Sequence, residues 1–301
     1  MSTSDSATVK LPPAQSRTRE VLRLLRGNRL AVAGVLIIAT LIFLTIFGPS
    51  LSRYDPIALD MSARLQPPSL EHLFGTDDFG RDVLSRVLSG AAVSLQVGLI
   101  AVGISLTIGT LLGAISGYYG GLLDEGIMRF MDILFAFPAI LLAIAILAAL
   151  GPGVSNAMIA IGIVYIPIFA RITRGSVLTV REQVFVESAR SIGCRDYRIL
   201  GRHILPNVMA PIIVETTLSL AFAILAEAAL SYLGLGTQPP DPSWGRMLSE
   251  SRAYILDAPW LGIFPGLAIM FTVMGFNFLG DGLRDALDPR LKQVLEPGQR
   301  E

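Results

Sequence analysis

Few residues of this chain could do chemistry, and their spacing narrows what that chemistry is. Glu215 and Glu227 lie in an apolar stretch, 208–234, that contains no Lys or Arg to pair with them. A carboxylate at bilayer depth is costly unless it faces a cavity or a partner. Its work there would be to carry a proton, hold a cation or line a polar path. At about 100° per residue, their separation puts the two roughly 120° apart around a helix, so they do not share one face. Glu227 is expected near the outer interface and open to hydration, and Glu215 nearer the inner end, facing a cavity or another subunit. Snorkelling to the interface or pairing with a second subunit accounts for the same residues without a transport role. His72, His203 and Cys194 are scattered and have no metal-ligand spacing. The two lysines follow Val9 and Leu291, so neither Lys10 nor Lys292 belongs to a glycine-rich phosphate loop. With no nucleophile–base set either, the chain is expected to be no enzyme by itself and to bind no cofactor or metal. The single Cys194 cannot form an intramolecular disulfide and is given no role.

A charged island lies in 181–207, between two apolar runs. Val184, Phe185, Glu187 and Ala189 suit a helix, and Gly193 breaks it. A second helical half follows, expected to close at Pro206, because proline cannot continue a helix interior. Two short helices meeting at a glycine suit a docking surface. A basic loop that merely obeys topology rules has the same composition, and spacing alone leaves both readings open.

The residues Glu187-Ser188-Ala189, Gly193 and His203-Ile204-Leu205-Pro206 resemble the EAA loop of permease subunits of bacterial ATP-binding-cassette (ABC) importers. Ser188 stands where that family usually has alanine, and His203 where isoleucine is common. The resemblance implies a coupling helix that fits a cleft on an ATPase subunit. Glu187, Ala189, Gly193, Arg195, Asp196, Leu205 and Pro206 are then the ATPase-coupling candidates.

Elements able to position such a loop are visible in the composition. Of 301 residues, 52% are hydrophobic and 16% charged, well below the roughly 25% charged of soluble domains. Apolar stretches near the roughly 20 residues that cross a bilayer occur at 30–49, 92–116, 133–150, 154–170, 208–234 and 260–280. The first is too long for the core of a signal peptide and lacks a cleavage site after it. Lys and Arg concentrate in the N-terminal segment, the 171–202 region and the tail, so the positive-inside rule predicts both termini cytoplasmic. The organisation read from this is a cytoplasmic segment 1–29 and a first span 30–49. An external loop 50–91, a five-helix core 92–280 containing the 181–207 loop, and a cytoplasmic tail 281–301 follow. Residues 1–20 are expected to be disordered, and 19–28 to form a short amphipathic helix.

Gly109, Gly113, Gly117 and Gly121 repeat every four residues and predict a thin helix face for close packing. Asp124 to Asp132 reads as a charged connector, Gly151-Pro152-Gly153 as a tight hairpin turn, and Pro138 and Pro167 as kinks. In His72–Arg86 the Gly-Thr-Asp and Gly-Arg-Asp runs suit turns and a helix cap. This run, the loop Leu233–Gly245 and the tail Leu279–Arg290 resemble the dipeptide/oligopeptide subgroup of the same permeases. That resemblance implies an all-α integral membrane protein with six transmembrane helices, the type I ABC importer permease fold and a cytoplasmic coupling helix. It implies a heterodimer with a homologous second permease, ABC ATPase subunits that hold ATP and Mg, an extracytoplasmic peptide-binding protein and contact with membrane lipids, with no nucleic acid. Asp77, Arg81, Asp82, Asp241 and Trp244 are the candidate contacts to the binding protein, and Glu215 and Glu227 the candidates for the translocation path. Related permeases carry dipeptides, longer peptides, glutathione or nickel complexes, and the residues do not choose among them. The alternative, an ion- or proton-coupled secondary transporter using Glu215 or Glu227, leaves the ordered 181–207 loop unexplained and lacks inverted repeats with broken midplane helices.

Overall fold

A computed structural model describes residues 24–287, and the expectations for residues 1–20, for the first half of 19–28 and for 288–301 lie outside it. Nine helical elements organise the described residues. They are α1 (Arg29–Leu51), α2 (Val83–Tyr119), α3 (Gly121–Phe135), α4 (Ala139–Leu150), α5 (Val154–Arg181), α6 (Val184–Ser191), α7 (Asp196–Tyr232), α8 (Trp244–Ser251) and α9 (Trp260–Leu287). No strand occurs among the described residues beyond an isolated bridge between Thr76 and Asp82. Five helices are long and apolar enough to cross a membrane, or six with α3 and α4 taken as one broken span.

Local sequence explains the helix ends. Asn28 caps α1 by accepting from the Leu30 and Ala31 amides at 3.0 and 3.3 Å. Asp82 caps α2 by accepting from the Ser85 amide at 2.8 Å, as the cap reading predicts. With 37 residues, α2 is about 55 Å long and begins well before the expected boundary at 92. Likewise, α9 runs on through Leu287 into the segment read as tail.

The third apolar stretch, expected as a span with a kink at Pro138, bends more sharply than an ordinary kink. Its helix breaks by 91° between α3 and α4, where Pro138 lacks an N–H and its ring would collide with the preceding turn. The charged connector is itself the helix α3. Its Ile127, Met128, Met131 and Leu134 pack on Ile166 and Ala170 of α5, while Glu125, Arg129 and Asp132 stay exposed.

The glycine face holds α2 against α5 for three of its four positions. A Cβ on Gly113 would lie 2.2 Å from the Ala170 carbonyl oxygen, and one on Gly109 2.6 Å from Phe169 Cβ. One on Gly117 would lie 2.9 Å from the Arg174 carbonyl. Gly121 is not part of this seam; it starts α3 at φ +59° with nothing near its missing Cβ. Two cores result. One joins α2, α5, α6 and α7 around Phe169, Ile161, Val186 and Ile204, and the other joins α1, α2, α7, α8 and α9 around Trp244, Ile224 and Phe276. Residues 182–204 sit at one end of the bundle. Residues 52–82 and 233–259 fold together at the other.

Candidate functional sites at the two ends of the bundle

At the loop end, α6 is anchored by one face only. Val186 and Ala189 are buried in the cluster that contains Tyr118, Val177, Val180, Ile199 and Ile204. The other face carries Glu187, and Val184 and Ile192 are 77% and 81% exposed. The helix ends in a Schellman motif: the Gly193 amide donates to the Arg190 carbonyl at 3.0 Å and the Cys194 amide to the Ala189 carbonyl at 3.1 Å. Gly193 takes φ +79°, and no atom lies within 4 Å of an added Cβ. The glycine is therefore needed for its backbone angle and not for space. Beyond the corner, Arg195 is exposed, and Asp196 accepts a 2.6 Å hydrogen bond from the Tyr118 hydroxyl.

Pro206 does not close the second half as expected. The chain stays helical from Asp196 to Tyr232, and the turn before the proline widens into a π-helix over Ile199–Ile204. A wider turn shifts the hydrogen-bond register just where proline lacks its donor. Leu205 is half-buried beside Ile204, while Pro206 is exposed. The seven coupling candidates are thus brought to one end, with Ala189 as anchor and Glu187 as an exposed tip.

The opposite end is a cap built from charges that the sequence reading took for surface contacts. Asp77 accepts from the Phe79 and Arg81 amides, each at 2.9 Å, and from Arg81 Nε at 2.6 Å. Glu250 of α8 reaches back to Arg86 Nη2 at 3.1 Å and Arg81 Nη2 at 3.4 Å, and accepts from Arg246 Nε at 2.9 Å. Arg86 is 1% exposed and also donates to the Pro56 carbonyl at 3.3 Å. Asp82, besides capping α2, holds His72 Nδ1 at 3.0 Å. The Trp244 indole donates to the Val87 carbonyl at 2.9 Å and the Trp260 indole to the Thr76 carbonyl at 3.2 Å. Asp77, Arg81, Asp82 and Trp244 are therefore buried and cannot present their side chains to a binding protein. Of the five candidates only Asp241 is exposed. Arg86 and Glu250, which the sequence reading left out, are the centre of the cap.

Residues 109–293 match the family described as binding-protein-dependent transport system inner membrane component. The chain belongs to that family. Residues 16–68 also match the N-terminal TM domain of oligopeptide transport permease C. The dipeptide transport system permease protein DppC of Alkalihalophilus pseudofirmus is 53% identical over 279 residues, covering 93% of this chain and 92% of that protein. The glutathione transport system permease protein GsiD of Escherichia coli is 50% identical over 283 residues, 93% of each chain. Among solved structures, an inward-facing form of the MetNI methionine ABC transporter has a chain that matches with a TM-score of 0.56 at 17% identity, over 67% of this chain and 96% of that one. That likeness is one of fold: the type I ABC importer arrangement expected from the sequence.

The permease keeps its two membrane glutamates in different surroundings. Glu215 is half-buried and accepts one hydrogen bond, from Ser219 Oγ at 3.1 Å. Glu227 corrects the expectation of a hydrated interface residue, because it is 1% exposed. Ser94 Oγ of α2 donates to it at 3.2 Å, Ser231 Oγ at 2.6 Å and Thr237 Oγ1 at 3.5 Å. Ser231 Oγ accepts in turn from the Thr237 amide at 3.0 Å. Glu227 so ties α2, α7 and the cap loop together. An apolar groove of about 240 Å³ runs between α4, α5 and α7, lined by Ala139, Tyr165, Phe222 and their neighbours. Neither glutamate lines it.

Proposed function

We propose that this chain is the C-type permease subunit of an ATP-driven importer for di- or oligopeptides, forming half of the translocation pathway. The observation that carries the reading is α6: buried by Val186 and Ala189, stopped by Gly193 at φ +79°, and exposing Glu187. A helix fixed on one side and free on the other suits a partner's cleft. The excess of Lys and Arg at the loop end supports placing that end, with both termini, in the cytoplasm. ABC ATPase subunits would dock there, carrying the ATP and Mg that this chain does not hold. A homologous second permease would complete the path, and an extracytoplasmic peptide-binding protein would deliver cargo over the cap, where Asp241 is exposed. Closure of the ATPase subunits on ATP moves α6 as a lever and tips the bundle between inward- and outward-facing states. Glu187 pairs with a basic residue of the ATPase. The peptide cargo rests on relatives named for dipeptide and glutathione transport.

The competing ion-coupled reading draws little support from Glu227, whose carboxylate is sealed and already engaged by hydroxyl donors. The test is peptide uptake by vesicles holding the complete assembly. Gly193→Asp puts a side chain and a negative charge at an exposed corner whose φ of +79° favours glycine. It is expected to abolish uptake and transport-coupled ATP hydrolysis while the chain remains in the membrane. Normal uptake by this variant would sink the coupling role, and uptake that collapses with a protonophore at constant ATP would favour ion coupling.

A further inference from the structure

Any motion received by α6 has to pass into the long helices through residues 182–204. Burial of Val186, Ala189, Ile199 and Ile204 holds the segment down, but apolar burial is not directional. Among the described residues, Arg181 Nε of α5 donates to its chain neighbour Glu182 at 2.9 Å, and one side-chain hydrogen bond joins this segment to a long helix distant in sequence: Tyr118 Oη donates to Asp196 Oδ1 at 2.6 Å. Tyr118 lies in the last turn of α2 and is 7% exposed. The Arg190 guanidinium, from α6, sits 6.0 Å over its ring. One side chain therefore meets both sides of the Gly193 corner. Its own helix is fixed to α5 by the Gly109–Gly113–Gly117 seam. Arg181 of α5 adds hydrogen bonds to the Gly117 and Tyr118 carbonyls at 2.8 and 3.4 Å.

We infer that Tyr118 is the positioning residue that passes movement of the α6–Gly193 corner into the α2–α5 pair. Asp196 is its partner at the corner and not a contact to the ATPase. The inference rests on the coupling role proposed for α6. It assigns Tyr118 no contact with nucleotide or cargo; the residue acts by keeping corner and bundle in register.

Tyr118→Phe keeps the ring and removes the donor. The complete assembly, in proteoliposomes, is assayed for ATP hydrolysed per radiolabelled dipeptide accumulated, with dialanine as the first probe and wild type as the reference. The expected result is full retention of the ATPase subunits, continued hydrolysis, and a rise of about tenfold in ATP spent per peptide, the low end of the scale of losing one hydrogen bond to a charged group. Tyr118→Phe combined with Asp196→Ala is expected to do no more than the stronger single change, because both remove the same contact. An unchanged ratio with all subunits bound overturns the inference and leaves the coupling reading standing. Loss of the ATPase subunits from the Tyr118→Phe assembly also overturns it, by making the residue merely structural. A wild-type chain that binds no ATPase subunit, or a Glu187→Ala assembly with normal uptake, overturns the coupling reading itself.

Discussion

At the cap end, Arg86 is 1% exposed, and Asp77, Arg81 and Glu250 surround it with carboxylates and a second guanidinium. At the loop end, Glu187 stands in solvent with no ion pair among the described residues, and Ile192 is 81% exposed. The two regions carry similar residue types and use them in opposite ways. A buried charge cluster resists rearrangement, since any member left alone is uncompensated in a low dielectric. It makes residues 52–82, α2 and α8 one body. A helix held on one face, by Val186 and Ala189 with Arg190 over the Tyr118 ring, leaves Glu187 free for another subunit. The cap spends its charges internally, and the loop keeps them for a partner.

Disrupting the seam that both ends depend on gives the largest expected effect. Gly113→Leu would push a side chain into the Ala170 carbonyl, a backbone atom 2.2 Å from the new Cβ, and no rotamer relieves that clash. The expected outcome is loss of the monodisperse chain on size-exclusion chromatography in mild detergent. Gly103→Leu, on the same helix with nothing within 4 Å, should be tolerated. If both variants behave alike, α2–α5 packing does not set the stability of the bundle.

The next effect separates the two ends directly. Glu250→Ala strips Arg86 of a partner at 3.1 Å and should cost about 3 kcal/mol, read as a lower thermal midpoint in detergent. Glu187→Ala, at an exposed position without a partner, should change stability by no more than about 0.5 kcal/mol and yet disable uptake. Equal thermal shifts for the two would erase the contrast between a sealed cap and an open loop.

What the sequence made legible follows the range of the interactions. The Asp82 cap depends on residues three positions away, and the αL corner on Gly193 itself, so both could be read locally. The glycine seam was readable from its four-residue step up to Gly117; it failed at Gly121, where a turn needs the same residue for a different reason. The cap was misread because Arg86 and Glu250 lie 164 positions apart. A charged run before a span looks like solvent-exposed loop until its distant partner is known, although the Asp77–Arg81 spacing of four did hint at internal pairing. Glu227 failed similarly: Ser231, one turn on, was in view, whereas Ser94 and Thr237 were not predictable neighbours. Pro206 was read as a stop because a helix of uniform pitch cannot hold it, and the π-turn that accommodates it left no local pattern.

Asp78, beside the buried cluster, supplies the finest test of the comparison. Burial raises its pKa first, and the neighbouring Asp77 charge raises it further. A carboxyl whose folded pKa is raised binds its proton more tightly in the folded chain than in the unfolded one. Ionised Asp78 therefore works against the cap, and the penalty fades as pH falls through the raised folded value. Asp78→Asn removes that charge and leaves the 3.1 Å bond from Arg64 Nε to the Asp78 backbone carbonyl available. The expected result is a small gain in thermal midpoint over wild type near about pH 7.5, shrinking as pH approaches the ordinary carboxylate range near about pH 4. A loss at neutral pH would mean that Asp78 is a needed counter-charge to Arg81 and that the cap has no surplus of acid. Its balance would then be set by all three carboxylates, Asp77, Asp78 and Glu250, and the Glu250→Ala effect should shrink accordingly.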